Sequence, residues 1–142
     1  MMMFLFLFRS IKFAFIAVIP SIIASSSVLG LMGLMNIPLD IMTITIAAIC
    51  IGIGVDHSIH YVHRFREEIS NDSNISIAIH KAHNSTGQAI YFTSVIIILG
   101  FSILAFSNFI PTIYFGLFTA FAMLLALFAN LTLLPVLLMK LR

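Results

Sequence analysis

Four stretches of this sequence run too long without a formal charge to belong to a water-soluble fold. They are Phe13 to Met35, Ile41 to Val55, Ala89 to Phe106 and Thr112 to Met139. A helix needs about 20 consecutive apolar residues to cross a bilayer. The second stretch reaches that length if it continues through Asp56 to about Tyr61. Composition agrees, with 61% hydrophobic and only 8% charged residues. Ordinary globular chains are about 25% charged, because a water-facing surface needs ions to cover it. A soluble enzyme, a disordered linker and a nucleic-acid binder are excluded, the last also because a net charge of +2 provides no phosphate-tracking patch. The single cysteine, Cys50, lies inside an apolar run and reads as a small lipid- or core-facing hydrophobe.

The expected fold class is all-α: a polytopic membrane helix bundle with spans at about 13–35, 41–61, 89–106 and 112–139. Asn36 to Asp40 and Ser107 to Pro111 read as turns, from their Asn and Pro content. Met1 to Phe8 is apolar but too short to cross and reads as a partial N-terminal helix or an interfacial stub. The cytoplasmic connector covers 62–88. Ser70 to Asn74 stops the second helix, and Ile75, Ile77, Ala78, Ile79 and Ala82 suggest an amphipathic helix lying on the membrane surface. A plain solvated connector is the alternative there. All seven Lys and Arg residues fall before span one, between spans two and three, or after span four. Basic residues mark the cytoplasmic side, so the connector and the C-terminus are expected there.

Asp56 is the residue that demands explanation. It follows fifteen uncharged residues, 41 to 55, in span two. An ionised carboxylate in the bilayer centre costs ~2.5–3.5 kcal/mol on insertion scales, so it is expected to face other helices and to have a partner. His60 lies one turn on and His57 is adjacent, which suits a proton relay of Asp56, His57 and His60. Gly52 and Gly54 would let a neighbouring helix approach closely. Thr93, Ser94 and Asn130 are the possible polar partners on the other spans. A purely structural alternative sets Asp56 in the cytoplasmic interface, capping the core beside Arg64 or a histidine. The spacing of His57, His60, His63, His80 and His83 invites a metal reading. However, 57 and 63 lie about 120° apart on a helix and cannot face one ion, so no metal or other cofactor is expected.

The stretch Gly52-Ile53-Gly54-Val55-Asp56-His57-Ser58-Ile59-His60-Tyr61, continued by His63-Arg64-Phe65-Arg66-Glu67-Glu68, resembles the signature helix of resistance–nodulation–division (RND) superfamily exporters, in the MMPL-like and Patched-like branch. Thr86-Gly87-Gln88-Ala89-Ile90 with Thr93-Ser94, Leu99-Gly100-Phe101, Phe115-Gly116-Leu117 and Leu133-Leu134-Pro135 resemble the helices that follow, so the likeness covers 1–142. The resemblance implies a non-enzymatic, proton-driven exporter of lipids or other hydrophobic compounds in the bacterial cytoplasmic (inner) membrane. It places the relay aspartate at Asp56, beside which His57 stands where related sequences often have tyrosine. It also implies that the chain is a piece of a larger transporter, its C-terminal transmembrane portion, inactive alone. The expected partners are membrane lipids, the remainder of the transporter or an oligomer, and a hydrophobic substrate. A sterol- or lipid-sensing membrane interaction module without transport is the competing reading.

Overall fold

Within hydrocarbon every backbone N–H and C=O must be satisfied inside its own segment, which favours helices throughout. The computed structural model describes residues 11–38, 40–71 and 74–140, and among them no strand occurs. The expected partial helix over 1–8 lies outside the described residues. Helix α1 is Ile11–Leu34 and α2 is Ile41–Asn71. The third rod begins as α3, Ile75–Ala82, passes through a π-helical turn, His83–Gly87, and continues as α4, Gln88–Ile103, to end in a 3₁₀ turn at Leu104–Phe106. The fourth rod is α5, Ile110–Phe128, a π-helical turn at Ala129–Leu133, and α6, Leu134–Met139. All four rods are long and apolar enough to cross a membrane.

The turns are built by recognisable end chemistry. Asn36 adopts a left-handed φ of 54°. The Ile37 N–H donates to the Met32 carbonyl and the Asn36 N–H to the Gly33 carbonyl, which closes a Schellman motif on α1. At the start of α2 the Thr43 N–H donates to the Asp40 carboxylate at 2.8 Å, and the Asp40 N–H donates to the Thr43 hydroxyl at 2.7 Å. This reciprocal cap satisfies two otherwise orphaned donors. The side chain of Asn74 caps α3 by accepting from the Ser76 N–H.

The amphipathic helix expected over 75–83 is present as α3, but it does not stand apart from the third span. The backbone stays right-handed helical at Ala82, His83, Gly87 and Gln88, so the helix runs from α3 into α4 without a break. Polar side chains at 83–88 suggested a connector, yet a helix satisfies its own backbone whatever its side chains are. Pairing against α2 then holds the segment. Glu68, largely buried, takes Arg64 at 2.6 Å and Lys81 of α3 at 3.7 Å.

The first and second rods pack on each other, and the fourth rod packs on all three others. The third rod meets the fourth along its length and α2 chiefly through α3 and the π turn. Two apolar clusters form the core. One, around Tyr61, Val62, Phe65, Ala78 and Leu134, lies toward the end that carries Arg64, Arg66 and Lys81. The other, around Val28, Met32, Ile46, Cys50 and Met123, lies toward the Asn36 turn. Ser21, Gly54, Ser58 and Asn130 sit at the level between them, and Ser21, Ser58 and Asn130 are fully buried.

Candidate functional site

Asp56 lies 15 residues into α2, about 22 Å along the helix from its Ile41 end. Its carboxylate does not point into the core of these four rods. The side chain is 65% exposed and lies 3.6 Å from His60 Nε2, one turn away. It opens onto a groove of about 510 Å³ between α2 and the third rod. Asp56, His57, His60, His63, Arg64 and Glu67 line one wall, and Ser85, Thr86, Ala89, Ile90 and Thr93 line the other. The groove exists because the third rod touches α2 mainly near its α3 end and turns to the fourth rod beyond.

The structure sorts the other sequence-derived candidates. His57 is buried, whereas His60 is exposed beside Asp56. Thr93 faces the groove, although its hydroxyl donates to the Ala89 carbonyl of its own helix at 2.9 Å. Ser94 is buried and does not line the groove. Asn130 does not meet Asp56. It accepts from the Ser58 hydroxyl at 2.8 Å and donates to the Gly54 carbonyl at 3.2 Å, joining the fourth rod to α2.

The two glycines behave differently. A Cβ on Gly54 would stand 2.7 Å from Ser21 Oγ, so the absent side chain lets α1 and α2 close together there. Gly52, expected to share that role, meets nothing within 4 Å among the described residues. Two residues apart on a helix is about 200° of rotation, so the pair cannot serve one contact face.

Ser58 is the residue that reading the sequence missed. Its position one turn from Gly54 placed it on the packed face, and a serine four residues after a close-packing glycine is the signal that could have found it. Among the described residues no group of His, Cys, Asp and Glu has the geometry to hold a metal ion. At the basic end the Arg66 guanidinium lies 5.5 Å from the centre of the Phe13 ring, tying α1 to α2.

Comparison with known proteins matches the sequence model of the MMPL family to residues 1–141. The protein MJ1562 of Methanocaldococcus jannaschii is 33% identical over 130 residues, covering 92% of this chain and 34% of that one. The hopanoid transporter HpnN of Burkholderia multivorans is 33% identical over 105 residues, 70% of this chain and 11% of that one. The trehalose monomycolate exporter MmpL3 of Mycolicibacterium smegmatis is 27% identical over 88 residues, 58% of this chain and 9% of that one. The chain thus spans about a third of the length of the first relative and about a tenth of the two transporters. No solved structure matches it.

Proposed function

The chain belongs to the MMPL family, and on that footing we propose that it forms the membrane portion of a proton-driven RND-type exporter of lipids or other hydrophobic compounds. The relatives named as a hopanoid transporter and a trehalose monomycolate exporter support the substrate class. The observation that carries the coupling mechanism is Asp56 beside His60 at 3.6 Å, deep in an apolar helix and open to a groove. A carboxylate that gains and loses a proton there changes the charge that neighbouring helices must accommodate. Alternate protonation then favours different arrangements of the bundle. One charge crossing the full membrane field gains ~2.3 kcal/mol per 100 mV, enough to bias such a switch.

On this reading the exporter lies in the cytoplasmic membrane with the Arg64, Arg66 and Lys81 end in the cytoplasm, by the rule that basic loops stay inside. Further transmembrane helices of the transporter, or another copy, cover the face that carries Asp56, because an ionised side chain facing lipid is disfavoured by kilocalories. The test is export by the complete transporter containing this chain. Asp56→Asn keeps shape and hydrogen bonding but holds no titratable charge, so it abolishes gradient-dependent export while the protein still reaches the membrane. Full export with unchanged gradient dependence removes Asp56 from the coupling mechanism.

A further inference from the structure

We propose that the groove between the third and fourth rods, at the basic end of the bundle, binds one phospholipid with an anionic headgroup. His80, His83 and Gln88 take the phosphate, and the acyl chains lie along apolar stripes of the two rods. The site requires only that the bundle crosses a membrane. It stands apart from the role proposed for Asp56, whose groove lies against a different set of third-rod side chains.

Two adjoining hollows of about 510 and 360 Å³ share His83, Asn84 and Leu131. Their depth identifies the occupant. Counted from the Phe106 end of the third rod, Phe92, Asn84 and His80 lie about 21, 33 and 39 Å away. Leu131 lies about 32 Å from the Ile110 end of the fourth rod. The ~30 Å hydrocarbon core therefore ends near Gln88 and Leu131, and the polar lining beyond them sits among the headgroups.

One face of the third rod changes character at that depth. His80, Asn84 and Gln88 line the hollows at four-residue steps, and Phe92 follows at the next step. Ile96, Leu99 and Ile103 continue it, exposed and apolar. On the fourth rod Leu131 leads into Phe128, Leu124, Phe121 and Leu117, exposed and spaced by three or four residues. Phe92 to Ile103 covers about 16 Å, the hydrocarbon depth of one leaflet. Tyr91 lines the same hollow, at the level where tyrosine anchors helices to headgroups.

The polar lining selects the charge. No carboxylate is among the described residues of either hollow, whereas the other groove carries Asp56 and Glu67. Imidazole and amide groups all donate, and their bonds to an ionised phosphate are stronger than neutral ones. A zwitterionic headgroup would bring an ammonium with no carboxylate to meet it. Asn84 Nδ2 lies 3.2 Å from His80 Nδ1. With the amide as donor, the imidazole proton sits on Nε2, where it can serve the phosphate. The His83 ring is held edge-on by the buried Tyr61 ring, their centroids 6.3 Å apart. Pockets of this kind between spanning helices hold specific lipid headgroups.

The chain contains no tryptophan, so Phe92→Trp places a single fluorophore in the groove. The full chain is reconstituted in phosphatidylcholine vesicles with a brominated quencher lipid, either phosphatidylglycerol or phosphatidylcholine. Phosphatidylglycerol should associate at Phe92→Trp more tightly by about threefold or more, a preference that one net hydrogen bond sustains. Phe15→Trp, exposed near the basic end of α1, should show no preference. His83→Leu and Gln88→Leu, both at exposed positions, should each bring the preference toward equality. Arg66→Gln, which removes a cation at the same end but outside the groove, should leave it. Equal association of both lipids at Phe92→Trp, a matching preference at Phe15→Trp, its retention in either leucine variant, or its loss in Arg66→Gln overturns the site. Failure of both lipids to quench Phe92→Trp would show a protein helix on this face and overturns it too.

Discussion

The Ser58 hydroxyl sits 2.8 Å from Asn130 Oδ1, in a buried link between two helices whose partners are 72 residues apart in sequence. The same hydroxyl lies 3.0 Å from the Gly54 carbonyl, which accepts from the Asn130 amide. This three-membered knot fixes the rotation of α2. Asp56 is two residues from Ser58, about 200° around the helix, so locking Ser58 inward turns Asp56 outward to the groove.

Asn130→Ala removes both interhelical bonds. Such bonds in membrane proteins average ~0.6 kcal/mol and reach ~1.7, so the variant should lose about 1–2 kcal/mol. Unfolding in mixed detergent micelles measures this. Unchanged stability would mean that Ser58 and Gly54 are satisfied as well within their own helix.

Gly54→Ala should destabilise the bundle, since its new Cβ stands 2.7 Å from Ser21 Oγ and 3.2 Å from Ser21 Cβ. Overpacking of this kind costs ~1–3 kcal/mol. Gly52→Ala, facing open space, should be neutral or slightly stabilising in the same unfolding assay. Ser21→Gly added to Gly54→Ala should restore most of the loss, and a failure to do so would place the strain elsewhere.

Glu68→Ala should free α3 from α2. It removes a largely buried carboxylate that both Arg64 and Lys81 approach. Hydrogen exchange at the amides of 75–82 should accelerate several-fold, while exchange in α1 stays as in wild type. Uniform acceleration across the bundle would show that Glu68 supports global stability and not this joint.

Sidedness is tested by cysteine labelling in a Cys50→Ala background. A membrane-impermeant thiol reagent applied from outside should reach cysteines placed at Asn36 and Asn108, both exposed in the short turns. It should not reach Asn74. Labelling at 74 in intact cells would invert the orientation.

The four spans were legible because hydropathy over a bilayer's length has few other outcomes. The turn at Asn36 to Asp40 was legible from its composition, and Asp56 stood out as a charge in an apolar run. The Ser58–Asn130 link was not legible, because nothing in a sequence states which face of one helix meets which face of another 72 residues away. The same reason separates Gly54, which packs against Ser21, from Gly52, which has no neighbour among the described residues. The union of α3 with α4 was hidden because His83, Asn84, Ser85 and Thr86 read as a loop by polarity alone. In the fold they belong to a π-helical turn that continues the helix from α3 into α4.

The most direct test of the account asks whether Asp56 itself takes up and releases a proton in the membrane. Infrared difference spectra of the full chain in lipid vesicles, recorded on stepping from neutral to acidic pH, resolve the stretching band of a protonated carboxyl group. The account predicts a band that appears on acidification, shifts in heavy water and is lost in Asp56→Asn while Glu67→Gln retains it. A spectrum in which Asp56→Asn changes nothing would contradict it, leaving Asp56 a fixed charge and not a carrier.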